Sequence, residues 1–226
     1  MFATTYRSAT ELNSAMTRVY MYMMTAVLNT MLVGYAVSTS PELMQLFFGT
    51  SLKWVVMFAP LVMAFATPYI MSSVDRPGAI LTLHVFAGLM GLSLSVIFKV
   101  YSGTSIVTAF MGAAILFGTM SFYGYFTKRS LESFGQYLFI ALIAIVLASI
   151  VNIFIGSSVM QMVISAIAIV IFLGFTAYDT QTIRETLAEN EPGNAAVMGA
   201  LMLYLDFINI FINLLQLFGV APSKDD

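Results

Sequence analysis

Residues 135–155 read GQYLFIALIAIVLASIVNIFI, without a single charged side chain. A helix needs roughly 20 mostly apolar residues to cross a hydrocarbon core about 30 Å thick, and this stretch supplies them. A barrel strand would alternate apolar and polar positions over about 10 residues, whereas residues 141–155 are apolar almost throughout. The stretch therefore reads as a membrane helix, and the rest of the chain agrees with it. Of 226 residues 60% are hydrophobic and 9% are charged, against roughly 25% charged in ordinary soluble domains. Nine Lys plus Arg and 11 Asp plus Glu are too few to coat a soluble domain of this length. Mean hydropathy is +0.92. Such composition excludes disorder, which requires low hydrophobicity. Zero cysteines exclude a disulfide scaffold and all thiol chemistry. A formal net charge of −2 gives no basic footprint for nucleic acid.

Working outward, further stretches of the same kind lie at residues 19–37, 52–71, 79–99, 105–126, 159–178 and 196–219. Polar and turn-forming residues separate them, and the connections are too short to hide a soluble domain. The expectation is an all-α integral membrane protein, one transmembrane domain of seven helices over residues 1–226. The run at 19–37 is long for the apolar region of a cleaved signal, so it is read as the first span. Arg7, Arg18, Arg76, Lys128, Arg129 and Arg184 fall on one side of such a topology, and Lys53, Lys99 and Lys224 on the other. By the positive-inside rule the N-terminus is cytoplasmic. The short tails and the lack of cysteine fit a bacterial cytoplasmic membrane better than an organelle.

Ionisable residues inside a span are costly and are functional candidates by default. Asp206 is the sharpest. It lies about ten residues into the last span, roughly 15 Å along the helix at 1.5 Å per residue. Gly199, Asp206, Asn209, Asn213 and Gln216 follow one another at spacings of 7, 3, 4 and 3, so they form a single helical stripe. A polar stripe on an otherwise apolar helix must face protein or water rather than lipid. The last helix is therefore expected at the centre of the bundle. Asn209, Asn213 and Gln216 read either as the lining of a pathway or as interhelical glue.

Asp179 closes the sixth span, either as part of a site or as a helix-end residue solvated at the interface. A short connection makes the sixth and seventh spans antiparallel neighbours, which would bring Asp179 towards Asp206. Two close carboxylates in a low-dielectric site resist ionising together. A shared proton would hold the two helices together; its loss would make them repel or attract a cation. Carboxylate and amide oxygens suit Ca²⁺, which takes 6–8 oxygen ligands. Asp179 and Asp206 are thus the candidate proton sensor and the candidate Ca²⁺-attracting group. His84 shares a helical face with Ala87, Gly88, Gly91, Ser95 and Lys99, and reads either as a packing residue or as a pathway-lining one. With no second His and no Cys, a His/Cys metal site is excluded. Arg76, in the loop Asp75-Arg76-Pro77-Gly78, is either a latch for Asp179 or a topology charge. No Walker loop, Gly-x-Ser-x-Gly elbow or His-Glu-x-x-His motif is present. Neither an enzyme nor a resident cofactor is expected.

The sequence Tyr178-Asp179-Thr180-Gln181, followed by Gly199-Ala200-Leu201-Met202-Leu203-Tyr204-Leu205-Asp206-Phe207-Ile208-Asn209-Ile210-Phe211, resembles the signature of the Bax inhibitor-1 family, also called the transmembrane BAX inhibitor motif family. The resemblance implies seven helices with the last surrounded by the others, in a small protein of the bacterial inner membrane. It implies a pH-sensitive Ca²⁺ leak in which Asp179 and Asp206 pair as the sensor, with an arginine latch for which Arg76 is the nearest match. No carboxylate lies within the first five spans to assist cation passage. The resemblance equally allows a non-conducting regulator that binds other membrane proteins, such as a membrane protease or a cell-death regulator.

Overall fold

The computed structural model describes residues 8–189 and 193–221. Arg7 and Lys224, counted above for topology, lie outside the described residues. The described residues form helices α1 (Ala9–Thr39), α2 (Pro41–Phe48), α3 (Leu52–Ser73), α4 (Arg76–Leu94), α5 (Ile97–Val100), α6 (Gly103–Phe126), α7 (Glu132–Ile155), α8 (Ser158–Glu189) and α9 (Ala195–Phe218). Seven spans long and apolar enough to cross a membrane are carried by α1, α3, α4 with α5, α6, α7, α8 and α9. The protein is an all-α membrane protein. Its last helix is the most enclosed span, with 67% of its most apolar window buried against at most 39% elsewhere.

Three features depart from the hydropathy reading. The first helix starts at Ala9, well before residue 19. Ser8 and Glu11 form a capping box in which Glu11 N–H donates to Ser8 Oγ at 3.3 Å and Ser8 N–H donates to Glu11 Oε2 at 2.9 Å. That box nucleates the helix in a polar segment that hydropathy ignores. Ala15, Met16, Val19, Met23, Ala26, Val27 and Thr30 then bury one continuous face. Second, Ser40-Pro41, between the apolar runs at 19–37 and 52–71, is a junction of two helices rather than a loop. Ser40 ends α1 and caps α2, accepting from Leu43 N–H at 3.3 Å, and Pro41 opens the new helix. The Glu42 carboxyl is held below its ordinary range by its own backbone N–H and by the Ser40 hydroxyl. Third, α8 does not end at residue 178 but continues to Glu189. Asp179, Thr180 and Gln181 are polar yet buried; hydropathy falls there because the helix meets protein, not because it stops.

The chain divides into two compact units. The first comprises Met1–Ser102, Leu187–Tyr204 and Ala221–Asp226, and the second Gly103–Thr186 and Leu205–Val220, each taken over its described residues. In the first unit α1 packs along α4. Thr30 Oγ1 lies 2.9 Å from the Ala87 carbonyl and 2.7 Å from Tyr204 Oη. A threonine hydroxyl has one hydrogen, so Thr30 donates to the carbonyl and Tyr204 donates to Thr30. Tyr204 also meets Phe86 edge-on at 5.8 Å between centroids. Asn194 Nδ2 donates to the Met71 and Val74 carbonyls, at 2.7 Å each, which satisfies the end of α3.

In the second unit Phe207 of α9 makes edge contacts with Phe110 and Phe117 of α6 at 5.3 and 5.7 Å. Gly124 lets α6 meet α8 backbone to backbone: a Cβ placed there would stand 2.9 Å from Ala177 Cα. Apolar lipid offers no hydrophobic drive for helix association, so close approach through small residues supplies the packing. Gly118, on the same helix, has nothing within 4 Å of such a Cβ. We predict opposite effects of one methyl group. Gly124→Ala should lower stability by about 1–3 kcal/mol through overpacking. Gly118→Ala should be neutral or raise it by roughly 0.5–1 kcal/mol through helix propensity. Thermal unfolding of both variants in detergent measures the contrast.

Candidate functional site

The polar run on α8 belongs to the second unit, and most of its side chains are tied. Thr176 Oγ1 donates to the Phe172 carbonyl at 2.8 Å and Thr182 Oγ1 to the Tyr178 carbonyl at 2.9 Å. Thr180 Oγ1 meets Ser121 Oγ of α6 at 3.0 Å. Gln181 clamps the turn between α6 and α7: its Oε1 accepts from Leu131 N–H at 2.7 Å and its Nε2 donates to the Arg129 carbonyl at 2.9 Å. Arg184 donates to the Tyr125 carbonyl and sits over the Tyr125 ring. Asp179 lies inside this run, 7% exposed, and takes no hydrogen bond among the described residues. It is a buried helix-interior residue rather than a solvated helix end.

Asp206, on the α9 segment of the same unit, is 4% exposed. Its Oδ2 is sealed from solvent and has no hydrogen-bond partner among the described residues. The two carboxylates lie within electrostatic reach of one another. Both buried carboxylates thus belong to the second unit, one on α8 and one on α9. Among the described residues no group of three or more His, Cys, Asp or Glu side chains forms a metal-binding cluster. The pair by itself supplies charge and oxygen, not a closed cation cage.

The stripe that follows Asp206 is not uniform. Asn209 and Asn213 are half-buried. Each donates its amide to its own helix, to the Leu205 and Asn209 carbonyls at 2.8 Å. Their side-chain carbonyl oxygens have no protein partner among the described residues. Gln216 instead bonds across to α8, its Oε1 accepting from Gln161 Nε2 at 2.9 Å and Ser165 Oγ at 3.0 Å. Gln216 is therefore interhelical glue, whereas Asn209 and Asn213 are not.

His84 and Arg76 lie in the first unit. His84 Nδ1 is 2.9 Å from the Ile80 carbonyl of its own helix, and the His84 carbonyl accepts from Asn29 Nδ2 at 2.8 Å. Its face seats α1: a Cβ on Gly91 would stand 3.0 Å from Val33 Cβ. Arg76 Nε donates to the Gly193 carbonyl at 3.3 Å, beside the Asn194 cap. Sequence reasoning missed Ser121, Thr180 and Gln181 as partners around the site. For Thr180 and Gln181 the one signal is the polar run 178–182, which follows an apolar span without any Gly or Pro to end the helix; Ser121, on α6, carries none.

Residues 12–223 match the family model described as inhibitor of apoptosis-promoting Bax1. The chain belongs to the Bax inhibitor-1 family. Inner membrane protein YbhL of Escherichia coli is 37% identical over 215 residues, 92% of each chain. A protein of Rickettsia prowazekii is 38% identical over 208 residues, 90% of this chain and 88% of its own. One from Deinococcus radiodurans is 34% identical over 227 residues, 98% and 96%. This member of the Bax inhibitor-1 family thus carries its two buried carboxylates in spans that the family match covers.

A buried, unpartnered carboxylate costs stability, whereas a buried hydrogen-bonded hydroxyl contributes to it. Asp206→Leu should leave the unfolding temperature unchanged or raise it. The gain should not exceed roughly 1–3 kcal/mol. Tyr204→Phe, two residues earlier on the same helix, should lower stability by about 1 kcal/mol. Thermal unfolding in detergent separates the two, and a marked loss for Asp206→Leu would assign that residue to packing.

Proposed function

We propose that this protein is a pH-sensitive cation leak pathway with Ca²⁺ as the permeant ion, gated by a proton shared between Asp179 and Asp206. Its membrane is a bacterial cytoplasmic one, with the N-terminus in the cytoplasm. The observation that carries this reading is Asp206: a carboxylate oxygen buried in a membrane span without a partner, within reach of a second buried carboxylate. Such a group is expensive, and intramembrane carboxylates mark ion and proton pathways. While the pair holds a proton, mutual repulsion is suppressed and α8 stays against the second half of α9. Loss of that proton sets two like charges close together in a medium of low dielectric, where repulsion is far stronger than in water. The charges are relieved by separating or by drawing in a cation. Asn209 and Asn213, half-buried and with unused carbonyl oxygens, supply hard oxygen ligands along the same helix.

The test is Ca²⁺ entry into liposomes holding the purified protein, recorded with an internal indicator from acid to neutral pH. Flux should vary several-fold with pH, and both Asp206→Asn and Asp179→Asn should flatten the profile. A combined Asn209→Leu, Asn213→Leu variant should reduce flux while keeping its pH dependence. An Asp206→Asn profile identical to the wild type would refute the sensor. Liposomes that stay ion-tight at every pH would favour a non-conducting regulator of other membrane proteins, which stoichiometric capture of a membrane partner would then establish.

A further inference from the structure

The second unit contains a cleft that the carboxylate pair does not use. Its volume is about 270 Å³, and it opens between the last turns of α6, the first turns of α7 and the middle of α8, beside the turn at residues 127–131. Its two ends differ in chemistry. Arg129 and Ser130, both exposed, stand at the mouth. Met120, Leu138 and Gly174 line the inner end. Leu138 lies six residues into α7, which at 1.5 Å per residue is about 9 Å deeper than the turn. From α8 the wall receives only Gly174, Ala177 and Tyr178, so no long aliphatic chain of that helix fills the space.

The turn joins two membrane spans, so the mouth lies at the membrane surface and the inner end in the acyl region. The Arg129 backbone is fixed, its N–H on Thr127 Oγ1 and its carbonyl on Gln181. Its guanidinium makes no hydrogen bond or ion pair among the described residues. Lys128 adds a second cation beside it, and Glu132 at the start of α7 is the one carboxylate between residues 127 and 138. A soluble anion would satisfy the arginine and leave the apolar end empty. A neutral lipid chain would fill the cleft and leave the arginine unmatched. Only a ligand with a negative head and an apolar tail matches both ends, and basic pockets between membrane helices are known lipid-headgroup sites. Arginine suits phosphate through its planar fork of donors.

We propose that this cleft binds an anionic phospholipid, with the phosphate on Arg129 and Ser130 and one acyl chain lying between Phe134 and Leu138. This is independent of the leak reading, although the cleft wall includes Tyr178, the residue before Asp179.

The chain has a single tryptophan, Trp54, which makes the site readable by fluorescence. In a Trp54→Phe background, Phe134→Trp puts a reporter on the cleft. Phe154→Trp, at the far end of α7 and 86% exposed, puts one against bulk lipid. Each is reconstituted in phosphatidylcholine vesicles containing either phosphatidylglycerol or phosphatidylcholine brominated on its acyl chains. The reporter at 134 should be quenched several-fold more effectively by the phosphatidylglycerol, and Arg129→Gln should abolish that preference. The reporter at 154 should show no preference. Equal quenching by both lipids at 134, a preference that survives Arg129→Gln, or the same preference at 154 would each overturn the proposal.

Discussion

Inside a lipid bilayer every polar group has to be satisfied by the protein itself or by water that the protein admits. Much of this structure is that requirement worked out residue by residue. Thr30 spends its hydrogen on the Ala87 carbonyl and receives one from Tyr204. Gln181 uses both ends of its amide on the turn before α7. Asn194 closes the end of α3. Against that background two buried side-chain oxygens lack partners among the described residues, Thr67 Oγ1 and Asp206 Oδ2. They are not equivalent. Thr67 immediately precedes Pro68 within α3, and an unbonded neutral hydroxyl is a modest cost. An unbonded carboxylate oxygen is a large one unless the group is protonated or joined by a cation. Asp206 is therefore the place where structural economy gives way.

The same constraint explains how the helices are held. With lipid outside as apolar as the helix faces, burial of leucine provides little reason for helices to associate, and close packing has to do it. Each unit has such a contact. Gly91 of α4 lies against the Thr30 backbone of α1 in one, and Gly124 of α6 against that of Ala177 in the other. In both, the close approach lies near polar side chains that then bond between helices: Thr30 to Ala87, and Thr180 to Ser121. Small residues set the distance and short polar residues exploit it. Thr180 follows Ala177 by three positions on the same face of α8, so its bond to Ser121 continues the close crossing at Gly124.

What the sequence reveals and what it conceals divide along this line. Seven long apolar runs and a scarcity of charge make the class plain, and scarcity also makes Asp206 conspicuous. The stripe is legible because helical spacing is arithmetic. The extents of α1 and α8 are not, because hydropathy registers what a residue is and not what it touches. Glu11 and Ser8 look like a polar tail until they are seen to cap one another. Asp179, Thr180 and Gln181 look like the end of a span until Ser121, Leu131 and Arg129 are found around them. Local sequence holds no record of partners fifty residues away.

The stripe itself shows why composition alone misassigns roles. Asn209, Asn213 and Gln216 occupy one face of one helix, and either the adhesive or the pathway-lining role might be given to all three together. Their bonds separate them. Gln216 reaches α8 and accepts two hydrogen bonds there, as an adhesive residue should. Asn209 and Asn213 each return one amide hydrogen to their own helix, and their side-chain oxygens have no protein partner among the described residues. A side chain arranged in that way keeps a second N–H beside its oxygen. Below Asp206, α9 offers two carbonyl oxygens and a carboxylate along one face, ending at a crosslink that fixes the helix to its neighbour. The stripe thus changes role along its length, from side chains that bond within α9 to one that bonds across to α8.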